Sequence, residues 1–126
     1  DCTLDELAGL ARSAQPSPIN SMCTVFAESE VIGLLAQGTA KDAVAAGVIH
    51  AIARKLPSLL GRVPLHDMIV FTGGLATNPD IGEMLSECLG INLHIPEYPQ
   101  IAGALGAAIL AHNEISRRQH ESTKSG

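Results

Sequence analysis

One cysteine stands directly before an apolar helical stretch that also carries two acids. Cys23 opens CTVFAESEVIGLLAQG, residues 23–38, which contains Glu28 and Glu30. The partial positive charge at a helix N-terminus stabilises a thiolate, the form of cysteine that attacks electrophiles and binds metals. A cysteine nucleophile needs a partner histidine, and none of the five histidines is paired locally with Cys23. A metal site needs about four ligands, and a buried thiol that only fills space is the third interpretation.

A second constellation follows a run of apolar, β-favouring residues. In MIVFTGGLATNP, residues 68–79, the run ends in Gly73-Gly74, and Asn78-Pro79 has the pattern of a helix start. Glycines at the carboxyl end of a buried strand let a ligand approach bare backbone, in the crevice where α/β proteins bind ligands. A tight strand-to-helix turn is the structural alternative. No Gly-Lys-Ser/Thr follows, so the segment is not a Walker A loop.

A third constellation is GALGAA, residues 103–108, in which small residues thin one face of a helical segment. Close packing against another helix explains such a face. A helix that lies beside a bound ligand or a hinge is the functional interpretation.

Helical and extended patterns alternate along the chain. Caps, apolar spacing and breakers predict five helices, over 3–14, 25–37, from 39 onward, 79–89 and 100–115. Pro57 is expected to kink or end the third of them. Two short strands are predicted over 68–72 and 91–95, and the first has the apolar pattern of a strand buried on both faces. Two strands make a poor sheet alone, so we expect further strands from upstream in the chain or from a partner. Cys88 is predicted to lie in the core.

The composition limits the classes of protein to which the chain can belong. With 126 residues, 46% hydrophobic, the chain can build one core, and its charge of −5 argues against a nucleic-acid binder. The sequence contains no run of eighteen apolar residues, which is the length that would predict a membrane-spanning helix. Three irregularly spaced cysteines fit a reducing, cytoplasmic setting. Since the chain lacks an initiator Met and begins within a helical pattern, we expect residues upstream.

Three motifs, in this order, carry a resemblance to a known family. CTVFAESEVIGLLAQG, VFTGGLATN and YPQIAGALGAAILA resemble motifs of the BadF/BadG/BcrA/BcrD family, the activator ATPases of 2-hydroxyacyl-CoA dehydratases and ATPase subunits of benzoyl-CoA reductase. The resemblance covers residues 3–114. It implies an α/β fold, with residues 1–115 as the C-terminal lobe of a ribonuclease-H-like ATPase of the actin and sugar-kinase type. Residues 116–126 are predicted to be a polar, flexible tail.

The function that the resemblance implies is ATP-dependent electron transfer. In the family, a homodimer shares one [4Fe–4S] cluster across its two-fold axis, and ATP, bound with Mg²⁺, drives a rotation of the helices that hold the cluster. Ferredoxin or flavodoxin is the implied electron donor, and the dehydratase or reductase component is the acceptor. The matching positions are Cys23 for the cluster, and Gly73, Gly74, Asn78, Gln100 and Gly103 for the nucleotide.

Two parts of the family pattern have no match here. The N-terminal phosphate loop is absent, and Cys2 lies too close to Cys23 to be the family's first cluster cysteine. We therefore expect the chain alone to bind nucleotide weakly and to be inactive as an ATPase. Two other hypotheses stay open. One is a lobe of a sugar- or acetate-kinase-like phosphotransferase, although such a function would not explain the segment CTVFAESEV. The other is a non-catalytic interaction module.

Overall fold

The computed structural model describes residues 2–20, 24–61 and 68–124. Within these ranges, helices pack beside a small parallel sheet, which is consistent with the predicted α/β class. Strand β1 pairs with β2 so that Ile69 lies opposite Leu93 and Val70 opposite His94. In chain order the elements are α1 (Leu4–Ala11), α2 (Thr24–Ala36), α3 (Lys41–Leu60), β1 (Ile69–Val70), a 3₁₀ turn (Gly74–Thr77), α4 (Pro79–Leu89), β2 (Leu93–His94) and α5 (Ala102–Lys124).

Local signals in the sequence set several helix ends. The sequence predicts that Thr3 and Glu6 form a capping box at the start of α1. This is confirmed, since Glu6 N donates to Thr3 Oγ1 at 3.2 Å and Thr3 N donates to Glu6 Oε2 at 2.7 Å. The bond from the Thr3 amide holds the pKa of Glu6 below its ordinary value. Gly38 and Gly90 follow helices with φ of +84° and +66°, the left-handed conformation in which glycine commonly ends a helix. The sequence predicts Gly38 in this conformation and Gly90 as the residue that ends its helix.

The core lies where α1, α3 and α4 meet. Alanines make up most of it, and their small side chains let the helix axes approach closely, while isoleucine and leucine fill the remaining space. Phe71 and Leu93, at the sheet, pack against it from one side. The buried cluster consists of Ala8, Ala11, Ala45, Ala46, Ile49, Ala53, Ile81 and Leu85.

Helix α3 is, among the described residues, the one helix long and apolar enough by composition to cross a membrane. Its apolar character has another explanation within the domain. Val44, Ile49 and Ala53 are buried, and α3 packs against both α1 and α4. Core helices of this kind meet the same length and hydropathy criteria.

Several predicted boundaries were wrong, and helix α1 ends at Ala11 rather than at residue 14. Helix α3 runs through Pro57 to Leu60, because a proline this near the C-terminus breaks the ladder only in the last turn. Its N-cap is Ala40, without a side-chain hydrogen bond, rather than Thr39. Helix α5 continues past residue 115 to Lys124, where Glu114 pairs with Arg117 and Arg118 at helical spacing.

The expectation that β1 is buried on both faces was wrong for the described structure. Val70 is 52% exposed and the preceding Met68 is 66% exposed. The apolar run fits the predicted pattern, but β2 is the one strand beside β1 in the described ranges. The face that carries Val70 is therefore open to solvent.

Gly47 marks the tightest backbone contact on α3. A Cβ at this position would lie 2.5 Å from the Ser17 carbonyl oxygen and 3.1 Å from Ile19 Cδ1. The Ser17 amide also donates to the Ala43 carbonyl at 2.9 Å, which fixes the extended segment against the helix. Only a glycine leaves room for this crossing.

We predict that Gly47→Ala destabilises the protein by about 1–2 kcal/mol, because overpacking against backbone exceeds the helix-propensity gain of about 1 kcal/mol. Gly9→Ala is the matched control, since a Cβ on this helical glycine meets nothing within 4 Å. The control should raise stability slightly. Urea unfolding of both variants checks the prediction, and equal gains in stability would contradict it.

Candidate functional site

The turn after β1 has a conformation that only glycine adopts readily. Gly73 has φ +100° and ψ −173°, a region closed to residues with a Cβ. Its amide donates to the Pro99 carbonyl at 2.9 Å, and the Phe71 amide donates to the His94 carbonyl at 2.9 Å. The end of β1 is thus joined both to β2 and to the segment that leads into α5.

This junction brings the two predicted nucleotide segments together. Pro99 directly precedes Gln100, and Gly103 lies in the first turn of α5. The first turn of α5 carries no acidic side chain, so the positive end of its dipole is not offset there.

The described residues do not explain why position 74 is a glycine. It opens the 3₁₀ turn, is exposed, has no positive φ, and a Cβ there would meet nothing within 4 Å. Gly103 is likewise exposed, helical and open around its Cα. Neither packing nor backbone conformation within the described residues accounts for these two glycines.

Thr77 was not predicted as a site residue, although it holds the turn together. Its Oγ1 donates to the Gly74 carbonyl at 2.6 Å, while the Ala76 amide donates to the Gly73 carbonyl at 3.1 Å. The turn is therefore internally hydrogen-bonded. Its position between Gly73-Gly74 and Asn78-Pro79 was the signal in the sequence that could have identified Thr77.

Two adjoining grooves lie beside this turn, of about 250 and about 350 Å³. Thr77, Glu97 and Pro99 line both, and Gln100 lines the smaller one. Tyr98, 64% exposed, lies on the smaller groove as well. Apolar walls with a few polar groups are typical of small-molecule sites. Glu97 and Tyr98 were missed because nothing in their sequence spacing ties them to the glycines.

The Asn78 side chain is 6% exposed and has partners for both of its polar atoms. Its Oδ1 accepts from the Ile81 amide at 3.0 Å, and its Nδ2 donates to Asp5 Oδ1 at 2.5 Å. Asn78 is therefore the N-cap of α4, as its position before Pro79 predicted. A direct contact from Asn78 to a nucleotide stays a prediction.

We predict that Asn78→Ala lowers the free energy of unfolding by about 2 kcal/mol, from the lost cap and the unpaired Ile81 amide. Asn78→Asp keeps the cap but sets a second carboxylate against Asp5. Like charges raise one carboxyl pKa in the folded state, so this penalty is present at neutral pH and fades as pH falls through that pKa. Urea midpoints at pH 7 and pH 4.5 test this, and a deficit in the Asp variant that does not shrink at the lower pH would contradict it.

The predicted cluster ligand, Cys23, lies outside the described residues. Within the described ranges, no group of three or more His, Cys, Asp or Glu side chains is placed to hold a metal. A [4Fe–4S] cluster takes four thiolates, and the other two cysteines, Cys2 and Cys88, are exposed. The described residues alone therefore do not fit a cluster, which would need Cys23 and ligands from elsewhere.

Cys88 was predicted to be a core residue, and that was wrong. The last turn of α4 places it at the surface, where its Sγ lies 3.5 Å from His50 Nε2. Partial burial raises the pKa of the Cys88 thiol, and the Glu87 carboxylate adds to this. Without a bound metal, Cys88 is thus a protonated thiol at neutral pH and a poor nucleophile.

Of the two acids on α2, one has a structural role. Both carboxylate oxygens of Glu30 accept from the Asn20 amide, at 3.0 and 3.1 Å, which ties α2 to the extended segment before it. The sequence favours a polar helix face for Glu28 and Glu30, with ligand contact as the alternative, and Glu28 is exposed.

Comparison with known proteins decides the family. The family model described as the BadF/BadG/BcrA/BcrD ATPase family matches residues 1–111. The chain belongs to this family. Its fold agrees with that of a solved family member, the activator of the 2-hydroxyisocaproyl-CoA dehydratase from Clostridium difficile with bound ADPNP, at a TM-score of 0.77 and 34% identity. The match covers 95% of this chain and 45% of that one.

Several curated relatives carry the names of dehydratase activators. The chain is 39% identical over 115 residues to the (R)-2-hydroxyglutaryl-CoA dehydratase activating ATPase of Acidaminococcus fermentans, covering 90% of this chain and 44% of the relative. It is 37% identical over 119 residues to the activator of lactoyl-CoA dehydratase of Anaerotignum propionicum, covering 94% and 46%. The present chain spans about half the length of the curated relatives it matches.

Proposed function

We propose that the chain is the C-terminal lobe of an ATP-dependent activator that delivers a low-potential electron to a 2-hydroxyacyl-CoA dehydratase or a benzoyl-CoA reductase component. The observation that carries the proposal is the junction between Gly73 and Pro99. That junction joins the two segments that carry the unexplained glycines Gly74 and Gly103, and other residues of both segments line the paired grooves. The chain is a member of an ATPase family.

The grooves suit the adenosine part of ATP or ADP. Gly74 and Gly103 would let the nucleotide approach bare backbone, and Thr77, Glu97 and Gln100 offer hydrogen-bonding groups to its base and ribose. The open N-terminus of α5 favours an anionic ligand on this side. The Mg²⁺ ion and the terminal phosphates would be held by residues outside this chain.

Cys23 is the proposed cluster ligand of this chain. It stands one residue before α2, which begins at Thr24, and a helix N-terminus favours an anionic group. Two copies related by a two-fold axis supply two thiolates, so each protomer must add one more from beyond the described residues. A bound [4Fe–4S] cluster would supply the one-electron chemistry. Ferredoxin or flavodoxin is the proposed donor, in a reducing cytoplasm.

The fate of the γ-phosphate tests this function against the phosphotransferase alternative. The complete polypeptide is incubated with ATP and Mg²⁺ in the presence and absence of sugars or acetate. An activator releases inorganic phosphate, and added acceptors change nothing. Transfer of phosphate to an acceptor would replace the proposal by a kinase function, and absence of any nucleotide binding would favour an interaction module.

A further inference from the structure

A thiol and an imidazole meet between α3 and α4, away from the nucleotide grooves. Cys88 Sγ lies 3.5 Å from His50 Nε2, and both side chains are exposed. They line a cavity of about 110 Å³, together with Glu87 and Arg12. The proposed function uses none of these four side chains.

The separation of the two atoms matches that of two ligands on one tetrahedral ion. Zinc bonds of about 2.3 Å to sulfur and about 2.0–2.1 Å to nitrogen put the two atoms about 3.5 Å apart across a tetrahedral angle. The structure holds this spacing through its core, because Ile49 beside His50 and Leu85 one turn before Cys88 are 1% and 0% exposed. Donors on rigid helices lose little entropy when an ion binds.

The charges around the cavity also favour a cation. Arg12 lines the cavity with a positive charge, and its guanidinium lies 2.7 Å from Asp80 Oδ1 and 2.7 Å from Glu83 Oε2. These two carboxylates offset that charge. Glu87 adds a negative charge on the cavity wall.

We propose that Cys88 and His50 form a two-residue site for a thiophilic divalent cation such as Zn²⁺, with water in the remaining positions. On binding, the metal replaces the Cys88 proton, which passes to solvent. Because the ligands come from α3 and α4, the bound ion links these helices and stabilises the native state. Two protein ligands make a weaker site than the four of a structural zinc centre, so binding is reversible.

The test uses Co²⁺ as a visible substitute for Zn²⁺ under anaerobic conditions, in the Cys23→Ser protein. This background removes the proposed cluster thiol, so the result is independent of the proposed function. We expect one Co²⁺ with a thiolate charge-transfer band that Zn²⁺ displaces. The band should vanish in Cys88→Ser, the affinity should fall at least tenfold in His50→Gln, and Cys2→Ser should change neither.

Three outcomes would overturn the proposal. A band that survives in Cys88→Ser assigns the metal to another thiol. Full affinity in His50→Gln reduces the site to a single thiol adduct. Absence of any band at millimolar Co²⁺ leaves the pair as a hydrogen bond between two helices.

Discussion

Replacing Cys23 by serine should remove the iron of the anaerobically reconstituted protein almost completely. A [4Fe–4S] cluster needs a thiolate at each iron, and a serine hydroxyl is neither soft nor ionised at neutral pH. Since the two-fold axis doubles every change, one substitution removes two of the four proposed ligands. Iron and sulfide content, with the visible absorption of the cluster, measures the effect.

Cys2→Ser and Cys88→Ser are the matched controls for this prediction. Both thiols are exposed, and neither is proposed as a cluster ligand. Each control should retain wild-type iron and sulfide. If Cys23→Ser holds as much cluster as the wild-type protein, Cys23 is not a ligand, and the electron-transfer part of the proposal fails.

Gly103→Ala should weaken nucleotide binding while making the protein more stable. An added methyl group on a helical glycine in open space raises stability by up to about 1 kcal/mol. The same methyl occupies space that we assign to the nucleotide. We expect the Kd for ADPNP to rise at least tenfold, which corresponds to about 1.4 kcal/mol.

Gly33→Ala on α2 provides the control, because its Cβ also meets nothing within 4 Å and its position is helical. It should show the same gain in stability with no change in Kd. Calorimetric titration with ADPNP and thermal unfolding of the same samples separate the two effects. Unchanged affinity in Gly103→Ala would remove this face of α5 from the nucleotide site.

Features that depend on neighbouring residues were predictable from the sequence. The capping box at Thr3 and Glu6, the Asn78 cap and the end of α4 at Gly90 each involve residues within four positions of one another. The chemistry of such signals is contained in a short segment. The family motifs are also local, and the structure joins the segments around Gly73 and Gln100 through the bond from the Gly73 amide to the Pro99 carbonyl. That these segments form a nucleotide site stays a prediction.

Features that depend on distant partners were not predictable. Asn78 bonds to Asp5 across 73 positions, and Cys88 meets His50 across 38. Nothing in the pattern around either residue indicates its partner, so Cys88 was placed in the core. The apolar pattern of β1 likewise predicted burial on both faces, and it could not specify that the described structure covers only one.

The dependence of electron delivery on ATP hydrolysis tests the central claim most directly. The protein with its full chain is reduced anaerobically and mixed with an oxidised dehydratase or reductase component, and electron transfer is followed with ATP, with ADPNP and without nucleotide. The account predicts transfer with ATP alone, and none in Cys23→Ser. Equal transfer without nucleotide, or ATP hydrolysis in the reduced protein with no electron delivered to either component, would contradict it.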